Sequence, residues 1–168
     1  ARLGDHAPVV LVGRTPPSPV DPRFVAADLT EPDAVPRLLA ELEARGLPPI
    51  GAVFHLAGVV EDGALATVDP ASITRVWGPK VDAALALDAA LPHARPFVVV
   101  GSAAATVGSA GQAVYAGANA ALEGLIRARR ARGEHGLCLH LGPLAGTGLA
   151  ARGTRDQEAQ GVRPLPHA

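Results

Sequence analysis

The chain has 168 residues, with 15 basic and 16 acidic side chains and a formal net charge of −1 at pH 7. That balance gives no reason to expect nucleic acid or an acidic membrane surface as a partner. The length and the 48% apolar share point to one globular domain, residues 1–168, with enough chain for a sizeable core.

No signal-peptide pattern opens the sequence, so a cytoplasmic location is expected. Residues 8–13, PVVLVG, form the first expected strand, and the proline-rich RTPPSPVDP of residues 14–22 is a loop. Residues 24–28, FVAAD, form the second strand. Thr30 is the expected N-cap of a helix, with Asp33 three residues on; Val35, Leu38, Leu39 and Leu42 then supply its apolar stripe. Residues 52–58, AVFHLAG, are the third strand.

Asp69-Pro70 reads as a cap followed by proline at the first helical position, ahead of Ile73, Val76 and Trp77. Gly78-Pro79 is expected to bend or restart that helix before it runs on to Leu91. Residues 97–102, FVVVGS, are the fourth strand, and residues 113–132 the last long helix. The arginine-rich RARRAR at its end suits the helix dipole and is expected to face solvent. Residues 137–142, LCLHLG, close the series, with the lone Cys138 expected as a buried small hydrophobe. The uncharged stretch from 96 to 122 mixes Ser, Gln, Asn and Gly, which argues against a membrane span. The tail from residue 151 shows no clear periodicity.

The five strand runs are nearly continuous in apolar residues, which predicts burial on both faces. Their alternation with helices predicts a Rossmann-like, doubly wound α/β fold, a parallel sheet with helices on both faces. Ligands in such folds bind beyond the carboxyl ends of the strands. Residues there are Gly13-Arg14, Asp28-Leu29, Ala57-Gly58, Ser102 and Gly142-Pro143. Asp28 suits an adenine amine or simply leads into the next helix cap. Arg14 offers a guanidinium fork to a phosphate or is a solvated loop charge.

Two residues are conspicuous against the background. Fourteen of the 15 basic residues are Arg and one is Lys80, and Tyr115 is the single tyrosine. This Ala-, Gly-, Pro- and Arg-rich composition suggests a GC-rich genome that drifts from Lys to Arg wherever physics permits. Tyr115 and Asn119, at i and i+4, share a helix face. The small residues between Ser102 and Tyr115 let the chain fold back and bring the two together, while Lys80 lies near the apolar stripe of its own helix. Each has an ordinary structural alternative: a capping serine, a core tyrosine, a snorkelling lysine, a packed amide. All four alternatives holding together is the weaker reading.

The segment SAAATVGSAGQAVYAGAN, with GPKVDAAL and VFHLAGVVEDG upstream, resembles the ketoreductase domain of type I polyketide synthases, part of the short-chain dehydrogenase/reductase superfamily. The resemblance runs from LVGR to GVRPLP. Superfamily members commonly carry Tyr-x-x-x-Lys; here position 119 is Asn and the lysine stands earlier, in PKV, an exchange characteristic of polyketide ketoreductases.

The resemblance implies NADPH-dependent reduction of a β-ketoacyl thioester presented by an acyl carrier protein, beside neighbouring synthase domains and without a metal. Tyr115 is then the proton donor and Ser102 a donor to the growing oxyanion. Lys80 favours the phenolate, since a phenol of ordinary pKa near ~10 is poorly matched to neutral pH, and it also grips a ribose hydroxyl. Asn119 is expected to hold the lysine or a water.

On the same resemblance Arg14 meets the 2′-phosphate and Asp28-Leu29 the adenine. Ala57-Gly58 lie under the ribose, and Thr147 touches the carboxamide. In the family a Leu-Asp-Asp signature marks B-type domains, and a Trp eight residues before the tyrosine marks A-type ones. Here those positions read Val60-Glu61-Asp62 and Val107. Asp62 therefore suggests B-type stereocontrol and a D-configured hydroxyl.

The family also opens on a strand and a glycine-rich, pyrophosphate-binding loop. The expected fold lacks that first βα unit and the C-terminal elements, since neither is legible here. A non-catalytic scaffold domain and a free-standing reductase of small ketones are the alternatives. Cofactor binding separates the first and flanking domains the second.

Overall fold

All five apolar runs become strands, shorter than their sequence patterns. The computed structural model describes residues 7–143. Strands β1 (Leu11–Gly13) and β2 (Phe24–Ala26) pair in parallel. Strands β3 (Val53–His55), β4 (Phe97–Ser102) and β5 (Leu137–Leu141) form a second parallel sheet with β4 in the centre. Where one sheet is expected, there are two, of order β1-β2 and β3-β4-β5.

Helix α1 (Ala34–Ala44) buries Val35, Leu38 and Leu42, the face its periodicity predicts. Its N-cap is Asp33, not Thr30, and Asp33 sits in the left-handed region at φ 56° with no side-chain cap. Thr30 is engaged elsewhere: its hydroxyl and its backbone N–H both donate to Asp28 Oδ1, at 2.7 and 3.0 Å. Helix α2 (Pro70–Trp77) begins as expected, with the Asp69 carboxylate accepting from the Ser72 N–H at 2.6 Å.

The Gly78-Pro79 step neither bends nor restarts the chain. A π-turn, Gly78–Asp82, runs directly into α3 (Ala83–Ala90), and the Ala83 N–H donates to the Gly78 carbonyl five residues back. Proline has no N–H to keep the ordinary i→i−4 ladder, and a widened turn absorbs the loss. This moves the helical phase. Ile73 is exposed, while Val76 and Lys80, four residues apart, are both buried. A short helix α4 (Ala104–Val107) follows β4, and α5 (Ala113–Ala131) leads to β5.

The core gathers Val35, Val53, Ala84, Leu87, Phe97, Val99, Leu122 and Ile126 from α1, α3, α5 and the β3-β4-β5 sheet. Burial on both strand faces does not hold throughout. The register sets Phe54 beside Val98 and Leu137, and on that face Phe54, Leu137, Leu139 and Leu141 are exposed. Leu11 and Val12 of β1 are exposed as well. Cys138 is half-buried rather than buried, and burial pushes its thiol pKa up.

The arginine cluster is not wholly solvated either. Arg129 is fully buried, pairing with Asp88 and donating to the carbonyls of His135 and Pro92 at 2.9 and 3.1 Å. Sequence counting sees a charge run; the fold turns one of its members inward. No helix among the described residues is long and apolar enough to cross a membrane.

Candidate active site

The π-turn brings Lys80 inward beside the carboxyl ends of β3 and β4. Its ammonium donates to the Ala57 and Val100 carbonyls, at 3.3 Å each, and lies 5.8 Å from the centre of the Tyr115 ring on α5. Lys80 is 3% exposed. Burial accordingly lowers its pKa from the usual lysine value. Two carbonyls occupy two of its three N–H groups. The third is uncommitted among the described residues and free for a ligand.

Gly58 is required at this spot. A Cβ built on it would stand 2.9 Å from Lys80 Nζ; any larger residue would push the ammonium away from its two carbonyls. Asn119 is completely buried. It donates to the Tyr115 carbonyl at 2.7 Å, within the same helix, and its Oδ1 has no partner. It is not bonded to Lys80. A buried amide oxygen without a donor is rare and marks a place for one. Ser102 ends β4, two residues beyond the carbonyl that holds Lys80, and its Oγ accepts from the Ala104 N–H at 3.2 Å. Tyr115 is half-buried among Val76, Val81 and Ala118.

One member of this cluster has no separate signal in the sequence. His55, buried inside β3, donates from Nε2 to the Lys80 carbonyl at 2.8 Å. A carbonyl only accepts, which fixes that tautomer. Burial, aided by the Lys80 charge and opposed by the hydrogen bond, holds the His55 pKa below its ordinary 6.5. The folded protein therefore takes up this proton less readily than the unfolded chain. The sign follows: the His55 contribution to stability is complete above about pH 6.5 and declines as pH falls from there toward the folded value. His55→Gln, which keeps a donor but cannot titrate, is expected to flatten that part of the acid dependence. Melting the natural polypeptide and the variant across this range checks it.

A family model described as KR domain matches residues 18–146. The chain belongs to the KR-domain family. Its relatives place it with the ketoreductase domains of type I polyketide synthases, in the short-chain dehydrogenase/reductase superfamily. NorA′, a protein of the spectinabilin polyketide synthase system of Streptomyces orinoci, is 47% identical over 121 residues, 71% of this chain and 3% of that protein. The 6-methylsalicylic acid synthase of Penicillium terrestre is 34% identical over 140 residues, 81% of this chain and 8% of the other. The solved ketoreductase PlmKR1, from the first module of phoslactomycin biosynthesis in Streptomyces sp. HK803, matches with a TM-score of 0.77 at 38% identity. That match covers 84% of this chain and 33% of PlmKR1. The chain thus spans a small fraction of these curated relatives and one third of the solved ketoreductase.

Two further groups of expected KR site residues lie apart from Lys80. Arg14 and Asp28 flank a cleft of about 420 Å³ at the ends of β1 and β2, lined also by Glu31, Arg37 and Glu41. Arg14 is 60% exposed in its side chain and 4.0 Å from Asp28 Oδ2. The Thr30 hydroxyl, more than Arg14, holds the Asp28 carboxyl below its usual pKa. One Asp28 oxygen is thus already taken. Leu29 turns its side chain into the core, leaving its backbone for any ligand.

Asp62 sits in the loop after β3. It accepts from Gln112 Nε2 at 2.8 Å, and Gln112 stands at the N-terminus of α5, three residues before Tyr115. Val107 is exposed. Thr147 lies outside the described residues.

Proposed function

We propose that this KR domain reduces a β-ketoacyl thioester to the β-hydroxyacyl thioester with NADPH. The acyl chain is presented by an acyl carrier protein, within a cytoplasmic polyketide synthase that carries further domains. The observation that carries this reading is the gathering of Lys80, Tyr115 and Asn119 around the β3 and β4 strand ends, with Gly58 packed against the ammonium.

The residues fit a nicotinamide cofactor. Gly58 and Ala57 keep a strand end free of bulk, Lys80 has a spare donor, and Arg14 projects an exposed guanidinium into the β1-β2 cleft. Arg14, Asp28, the Leu29 backbone, Ala57, Gly58, Lys80 and Tyr115 would hold the cofactor, with Thr147 as a further contact. Arg14 favours the 2′-phosphate of NADPH because a guanidinium matches phosphate geometry with paired donors. When bound, NADPH supplies the hydride.

Tyr115 gives its hydroxyl proton to the ketone oxygen as negative charge grows there. Ser102 donates a hydrogen bond to the same oxygen. The desolvated Lys80 ammonium favours the phenolate that remains, an effect strengthened by low local dielectric. The buried Oδ1 of Asn119 accepts from a water or a ligand hydroxyl.

B-type stereochemistry, with a D-configured product, is the reading favoured by Asp62 and by Val107 in place of tryptophan. The test is NADPH consumption by the natural polypeptide with a short β-ketoacyl thioester, followed by chiral analysis. Turnover to the D-alcohol is expected. The opposite configuration would overturn the B-type reading, and failure to bind NADPH would leave a scaffold domain.

A further inference from the structure

The loop from β3 to α2, residues 56–69, has little packing of its own. Its residues from Asp62 to Thr67 are all exposed, and its one regular turn is Leu65–Thr67. Polar ties hold it instead. Asp62 accepts from Gln112, and the Gly63 N–H donates to the Gly111 carbonyl at 2.8 Å, so one side of the loop is tied to the residues just before α5. The other side is tied by Glu61, whose two carboxylate oxygens accept from Arg75 Nε and from the second guanidinium nitrogen at 2.8 and 2.7 Å. Arg75 is on α2, which runs without a break into the π-turn that carries Lys80. Glu61 and Asp62 both line a cavity of about 110 Å³ with Ser72, Gly111 and Val114. Val114 immediately precedes Tyr115.

We propose that Arg75 is a positioning residue for stereocontrol: by gripping Glu61 it holds the loop that carries Asp62 against the start of α5, and so sets which face of a bound ketone meets Tyr115. The proposal rests on the reductase reading above. A two-pronged Arg–carboxylate pair fixes orientation as well as distance, which a point charge does not. Arg75 holds the Glu61 carboxyl below its usual pKa, so the pair stays charged at neutral pH. The Arg75 side chain is 54% exposed, and pairs of this kind contribute little to global stability. Its loss is therefore expected to loosen the loop without unfolding the domain.

The experiment uses the natural polypeptide with a short β-ketoacyl thioester. It reads total turnover, the ratio of the two product enantiomers, and hydrogen exchange of the amides from 61 to 68. Arg75→Met and Glu61→Gln are each expected to raise the minor enantiomer by up to about fivefold, with total turnover near wild type and faster loop exchange. The double variant should do no more than either single one, because both remove the same tie. Arg75→Lys should fail to rescue, and the swap Glu61→Arg with Arg75→Glu should restore much of the ratio.

Faster loop exchange with an unchanged product ratio would overturn the proposal, as would unchanged exchange. A natural polypeptide that never reduces the ketone would overturn the reductase reading itself, and the proposal with it.

Discussion

Tyr115→Phe is expected to lower kcat for β-ketoacyl reduction by roughly 10²–10⁴-fold while leaving KM and the fold nearly unchanged. The fold loses nothing that the described structure uses, because no described residue makes a hydrogen bond with the phenolic hydroxyl, and the ring packs through its carbon edge on Val76, Val81 and Ala118. The chemistry loses its proton donor. Nothing adjacent replaces it readily: Ser102 Oγ already accepts from the Ala104 N–H, and the ammonium of Lys80 is held by two carbonyls 5.8 Å from the ring centre. Lys80→Arg makes the informative companion. The guanidinium keeps the charge, but it is planar and larger than the ammonium, in a site 3% exposed where Gly58 already crowds Nζ. It is expected to lower turnover as well, with a rise in KM for NADPH that Tyr115→Phe lacks. Circular dichroism confirms that both variants are folded. Retention of more than a tenth of wild-type kcat by Tyr115→Phe would remove the phenol from its proposed role.

Much of this site is written in short-range pattern. Tyr115 and Asn119 share a face because i and i+4 do so in any α-helix, and the Asp69-Pro70 cap forms as its residue types demand. Lys80 was less legible. A phase counted from Ile73 assumes an unbroken ladder, whereas Pro79 removes one donor and the π-turn inserts a residue, transferring Lys80 to the stripe of Val76. His55 was hidden because a polar residue inside an apolar strand run carries no mark of what it faces; the carbonyl it meets is 25 positions away. Thr30 and Asp28 illustrate a different limit. Both are good cap residues, and either could have started α1, but the bond between them leaves that task to Asp33. The open strand faces escaped for a similar reason. An apolar run says that a residue can be buried, and the partner that would bury it is not encoded within the run.

Arg129 shows how far a charge run can mislead, and it carries the second large expectation. Arg129→Met is expected to cost about 3 kcal/mol, the low end for removing one member of a buried ion pair. Amides in α5 and β5 of the natural polypeptide should then exchange roughly 10²-fold faster wherever exchange reports opening of this unit. The reasons are additive in kind. The guanidinium pairs with Asp88, lies 3.5 Å from Glu134, feeds the His135 and Pro92 carbonyls, and stacks 4.0 Å from the centre of Phe97. Those two carbonyls would lose their donor, and Asp88 would keep only Arg132, at 2.9 and 3.1 Å.

Arg132→Met is the control. It removes the same charge from the same carboxylates, but its side chain is 46% exposed, so a cost of at most about 1 kcal/mol is expected. The contrast separates net charge from built geometry. It also bears on function, since Arg129 anchors the far end of the helix that presents Tyr115. Equal, small effects of the two variants would mean that Ala118, Leu122 and Ile126, buried along the same helix, suffice to aim the phenol. A large effect confined to Arg129 would mean that the aim is also set at the distant end of α5, where an arginine reaches across to α3.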